Sequence, residues 1–115
     1  MTIDQKITAQ LSFDVSSVPS DLFIGGKWMD GSTGRRIDVI DPSTGAPIAT
    51  VADASIDDAL AAAKAAHEAG PAWAATAPRK RSEILRRCFE LMMERKDMLA
   101  ELISLENGKA LSDAQ

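Results

Sequence analysis

Leu22-Phe23-Ile24-Gly25-Gly26-Lys27-Trp28-Met29 consists of two short β-prone runs separated by a pair of glycines. Two-residue hairpin turns need positive φ at their centre, and glycine supplies it without steric cost, so this stretch predicts a β-hairpin. Downstream, the loop Asp30-Gly31-Ser32-Thr33-Gly34 leads to Arg35-Arg36-Ile37-Asp38-Val39-Ile40, where Ile37 and Val39 alternate with polar neighbours as in a strand. Asp41-Pro42-Ser43-Thr44-Gly45 has the composition of a type I turn, and Pro47 to Ala52 reads as the returning strand. Residues 22–52 are therefore expected to be β-rich.

The second half changes period. Ser55 followed by Asp58 resembles an N-cap with acid in the first turn, Ile56, Leu60 and Ala63 recur on one helical face, and Gly70-Pro71 is expected to close a helix over 55–69. Thr76 is placed to cap the next helix, over 77–95, with Pro78 in its first turn and Ile84, Leu85, Cys88, Leu91 and Met92 as its apolar stripe. Arg95-Lys96-Asp97 interrupts that stripe. A third helix, over 97–107 with Asp97 as its N-cap, resumes it and ends before Gly108. Ser112-Asp113-Ala114-Gln115 has the form of a capping box at the point where the sequence stops, which suggests a helix begun and cut short.

Upstream of the hairpin, residues 1–21 read as a flexible arm: Ile3, Ile7 and Leu11 could share one face of a short docking segment, but no long periodic run follows. The division is thus an arm over 1–21 and an incomplete domain over 22–115. By itself this chain reads as α+β, a hairpin and strands followed by three helices.

A length of 115 residues suits about one domain, and the 45% hydrophobic content is heavily weighted to alanine. The net charge of −4 argues against a dedicated nucleic-acid or polybasic membrane binder. The basic stretch from Arg79 to Lys96 reads as a solvated helix face, with Phe89 its only aromatic. The longest apolar run, Ala59 to Ala63, falls far short of a membrane span, and no signal peptide precedes it, so the cytoplasm is the expected compartment.

Cys88 is the single cysteine, and its stripe neighbours favour a structural role over a nucleophilic one. His67, the single histidine, is expected in the last turn of the alanine-rich helix, where its charge would suit the dipole. One Cys and one His exclude a Cys/His metal cluster, and neither dinucleotide nor P-loop glycine spacing occurs. These residues assemble no active site.

Five motifs in register nevertheless resemble the N-terminal portion of an aldehyde dehydrogenase. They are Leu22 to Trp28, Asp41 to Gly45, Pro71-Ala72-Trp73, Arg81 with Leu85-Arg86-Arg87, and Leu105-Glu106-Asn107-Gly108-Lys109. Cys88 to Glu94 and Leu105 to Leu111 are most similar to bacterial succinate-semialdehyde dehydrogenases. The resemblance implies an α/β fold in the family and a chain about four times this length. It also implies oxidation of an aldehyde to an acid by NAD or NADP through a cysteine thiohemiacetal, with a glutamate base and an oxyanion-stabilising asparagine.

None of those catalytic or cofactor-binding positions matches this chain, so no catalytic residue and no NAD(P) binding is expected of it alone. What the resemblance does carry over is a monovalent-cation site at Val39, Ile40 and Glu106, with Glu where relatives carry Asp. Three readings follow. In the first, the chain is an inactive N-terminal fragment of an NAD(P)-dependent succinate-semialdehyde dehydrogenase whose full-length form takes a small-molecule aldehyde. In the second, it is a non-enzymatic interaction module, binding a partner, a full-length homologue or a second copy through exposed amphipathic helices. In the third, it is an autonomous small α+β domain. Neither nucleic acid nor membrane is an expected partner.

Overall fold

The computed structural model describes residues 11–115. The elements are β1 (Leu22–Ile24), β2 (Lys27–Met29), β3 (Arg36–Ile40), β4 (Pro47–Ala52), α1 (Ile56–Ala75), α2 (Pro78–Glu94), α3 (Lys96–Asn107) and α4 (Leu111–Ala114). Strands β1 and β2 form one two-stranded sheet, and β3 and β4 form another. The chain divides into two compact units. The first takes in the residues up to Ser20 with Ile37–Val51 and Glu94–Gln115, and the second comprises Asp21–Arg36 and Ala52–Met93.

In the second unit, β1 and β2 run antiparallel with Leu22 opposite Met29, Phe23 opposite Trp28 and Ile24 opposite Lys27. Gly25 and Gly26 have φ of 59° and 80°, the paired positive values that a tight hairpin turn demands. Phe23 and Trp28 meet across the strands with ring centroids 4.9 Å apart. The hairpin tip adjoins Ala62, Ala65, Ala66 and Ala69 of α1, whose small side chains let the backbones approach.

Helix α1 opens with the expected cap, completed as a capping box. The Ser55 hydroxyl accepts from the Asp58 N–H at 3.1 Å, and the Asp58 carboxylate accepts from the Ser55 N–H at 2.9 Å. The same Asp58 Oδ2 accepts from the Ser32 N–H at 3.1 Å and the Ser32 hydroxyl at 3.0 Å, which ties the β2–β3 loop to the helix start. Next to it, a Cβ on Gly31 would lie 2.8 Å from the Asp53 carbonyl oxygen, so only glycine fits there. These amides and hydroxyls hold the Asp58 carboxyl below its usual value, the Ser55 N–H contributing most.

Helix α1 runs to Ala75 and does not end at residue 69. Gly70 keeps a negative φ and makes no left-handed cap. Having no Cβ, it also escapes the clash that usually keeps a residue before proline out of the helical region. The longer helix leaves His67 in mid-helix and not in the last turn. Thr76 consequently closes α1 and does not open α2, its hydroxyl donating to the Ala72 carbonyl at 2.8 Å. Pro78 is the first residue of α2, where its missing N–H costs no helix hydrogen bond. Exposed Arg79–Glu83 and Arg87–Glu90 pairs, at 3.1 and 3.4 Å, decorate one side of α2. The break before α3 falls at Arg95, so Asp97 is a first-turn acid and not an N-cap.

In the first unit, the carboxylate of the buried Asp41 organises the β3–β4 turn. It accepts from the Ser43 N–H at 2.8 Å, the Ser43 hydroxyl at 2.7 Å and the Thr44 hydroxyl at 3.1 Å. The Asp41 carbonyl also accepts from the Gly45 N–H at 2.8 Å, with Gly45 left-handed at φ 72°. The Ser43 hydroxyl above all, with the Ser43 amide, keeps the Asp41 carboxyl below its ordinary value. Helix α3 ends at Gly108, φ 68°, whose N–H reaches the Ser104 carbonyl at 2.9 Å. A Cβ on Gly108 would lie 2.9 Å from Pro42 Cγ, a second reason for glycine.

Residues 11–20 of the expected arm belong to this unit: Asp14 caps a 3-10 turn over Val15–Ser17, and the Ser12 amide and hydroxyl both donate to Glu101 at 2.9 Å. Ile3 and Ile7 lie outside the described residues. The final turn starts at Leu111, so Ser112 lies within α4 and caps nothing.

Two outcomes are expected from these turns. Because the folded-state pKa of Asp41 is depressed, its stabilisation is complete above the unfolded value near 3.8 and is lost as pH falls through the lower folded value. Asp41→Asn should therefore speed hydrogen exchange at the Gly45 amide at pH 7, and the difference from wild type should shrink in strong acid. Gly34→Ala, where φ is 67° and no atom lies within 4 Å, should cost about 1–2 kcal/mol for the left-handed backbone alone. Gly108→Ala should cost more in denaturant titration, because the Pro42 ring adds to the backbone strain.

Candidate functional site

Reactive side chains are sparse and scattered. Cys88 is exposed on α2, so the packed structural role expected of it is not realised in this chain. His67 is exposed on α1, and among the described residues neither it nor Cys88 has a hydrogen-bonding partner. A thiol nucleophile needs a base or an electropositive setting to raise its thiolate fraction, and this geometry provides neither.

The expected cation positions are split. Val39 and Glu106 line one small cavity of the first unit together with Val15, Ile48, Val51 and Leu102, whereas Ile40 is outside that lining and 43% exposed. Glu106 is the one charged side chain in the lining, and Ser20 the one hydroxyl. Hard cations take several oxygen ligands, so the side chains here supply only part of a shell. Among the described residues no three His, Cys, Asp or Glu side chains gather into a metal cluster.

A second, wider cavity of the same unit has Asp41, Ser43, Glu101 and Ser104 on its wall. Each of these is already engaged: Asp41 with Ser43 and Thr44, Glu101 with Ser12, and Ser104 through its hydroxyl with the Lys109 carbonyl at 2.6 Å. Such groups fasten the backbone and leave no catalytic pair. Glu101 as the anchor of Ser12, 89 residues away, carries no local sequence signal.

The chain also offers no seat for a dinucleotide pyrophosphate. Such a seat needs free amides at a helix N-terminus after a glycine turn. Here the Gly25-Gly26 turn joins two strands, and the start of α1 is closed by Ser55 and Asp58 and is acidic. Helix α2 begins with a proline, which has no amide to offer.

The surface is unusual in another respect. Buried apolar residues are limited to Ala52, Ala100 and Leu105, while many large hydrophobic side chains are exposed, among them Phe23, Trp28, Leu60, Leu85 and Phe89. No helix among the described residues is long and apolar enough to cross a membrane.

Residues 28–115 match the family model described as the aldehyde dehydrogenase family. The chain is 41% identical, over its full length, to an NADP(+) succinate-semialdehyde dehydrogenase of Schizosaccharomyces pombe, of which it covers 24%. It is 44% identical to the NADP(+) succinate-semialdehyde dehydrogenase GabD of Escherichia coli (strain K12), over 80% of this chain and 19% of that protein. The crystal structure of an NADP-dependent enzyme from Escherichia coli superimposes with a TM-score of 0.84 and 40% identity, over 91% of this chain and 22% of that one. The chain thus spans no more than about a quarter of the length of these relatives, and the α+β arrangement of short strands and helices is that of the corresponding part of their fold. By the family-model match and by its fold, this chain belongs to the aldehyde dehydrogenase family.

Proposed function

We propose that this chain supplies the N-terminal part of an NAD(P)-dependent enzyme that oxidises succinate semialdehyde to succinate, working in the cytoplasm, and that it has no activity by itself. The observation that carries this reading is the 41% identity to a succinate-semialdehyde dehydrogenase across the whole chain. NAD(P), bound elsewhere in such an enzyme, would accept the hydride. The share of this chain is structural: the Asp58 tie, the Asp41 turn and the Gly108 cap hold strands and helices in the arrangement seen in the solved relative. Val39, Ile40 and Glu106 are proposed as its contribution to a monovalent-cation site, with the Glu106 carboxylate as the charged ligand.

A chimera tests the reading. The matched region of the Escherichia coli relative is replaced by this chain, and succinate-semialdehyde-dependent NADPH formation is followed. The expected result is a kcat/KM within about tenfold of the parent, whereas the 115-residue chain alone should give none. A folded chimera with no activity, or turnover by the chain alone, would sink the reading. For the cation, replacing potassium by a bulky organic cation should speed hydrogen exchange near Glu106 in the chimera, and Glu106→Gln should abolish that dependence.

A further inference from the structure

Helix α2 has two sharply different sides. Arg79, Glu83, Arg86, Arg87, Glu90 and Glu94 recur along one side, where the Arg79–Glu83 and Arg87–Glu90 pairs lie in water. Along the other, at three- and four-residue spacing, Ile84, Leu85, Phe89, Met92 and Met93 are 43–61% exposed. No residue of α2 is buried. A helix with a solvated ionic side and a bare apolar side has the pattern of one built to be covered.

Size argues against a second copy as the cover. A helix of 17 residues is about 25 Å long, so a stripe about 10 Å wide offers roughly 250 Å², well under the ~800 Å² per partner of a stable complex. A cover that belongs to a larger fold is not bound by that limit. The solved relative contains the counterpart of this chain in 22% of its length, so most of its polypeptide lies outside the matched part.

From this we infer that the apolar side of α2 is a docking surface for the complementary part of an aldehyde dehydrogenase polypeptide, which this chain can capture in trans. The inference rests on the functional reading above and adds to it a specific surface and partner.

The test mixes the full chain with the complementary segment of the Escherichia coli relative, using that relative's own matching region as a parallel control. The expected result is capture of the segment, weakened at least tenfold by Leu85→Asp and by Phe89→Asp but not by Glu83→Gln on the ionic side. Circular dichroism of the variants should be unchanged, since both apolar positions face solvent in the chain alone. Capture by the control region but not by this chain would overturn the proposal. So would capture indifferent to Leu85→Asp and Phe89→Asp, or sedimentation showing that the chain pairs with itself through those residues. A complex that forms but makes no NADPH, when the control complex does, would count against the functional reading and leave the docking surface standing.

Discussion

The first turn of a helix leaves amides that the helix itself cannot satisfy. In this chain a single carboxylate oxygen at α1 serves that turn and more. Asp58 Oδ2 collects the amide and hydroxyl of Ser55 together with the amide and hydroxyl of Ser32, so the start of the longest helix and the β2–β3 loop share one acceptor. Gly31 makes the junction possible by letting the loop pass close to Asp53. A charged acceptor strengthens each of these hydrogen bonds, which matters in a chain with so little buried apolar area.

That shortage explains the style of the whole molecule. With Ala52, Ala100 and Leu105 as the buried apolar residues, the usual source of stability is small, and the folded elements are defined mainly by caps, turns and glycine conformations. The Asp41 turn is a local example, complete within residues 41–46. Exposed ion pairs such as Arg79–Glu83 add a few tenths of a kcal/mol at most. The third expectation, a small domain packed over its own hairpin, is hard to reconcile with so many large hydrophobic side chains left in water.

Features coded within a few residues were legible from the sequence. The Gly25-Gly26 hairpin, the Ser55–Asp58 cap, the strands on either side of Asp41, Pro78 at the head of α2 and the glycine stop at 108 all depend on local sterics or local hydrogen bonding. What was misread depended on a competing local choice. Gly70-Pro71 has the composition of a terminator, but a glycine before proline tolerates helix, and the displacement of the helix end carried His67 and Thr76 with it. Ser112 and Asp97 have capping chemistry, yet the helices begin one or two residues before them. The links from Ser32 to Asp58 and from Ser12 to Glu101 join distant segments and have no signature in the sequence. The partial gathering of the cation positions is likewise set by packing, with Ile40 turned out of the cavity that holds Val39 and Glu106.

Pro71 has an effect that reaches beyond its own residue. Lacking an N–H, it cannot donate to the carbonyl four residues back, so the main-chain oxygen of His67 has lost its regular helical donor. His67 is exposed, and water can fill that role. Any protein surface laid across this stretch of α1 would have to bring a donor of its own or stop short of it. The helix thus carries a built-in wet spot, a fixed limit on how far a dry interface can spread along it.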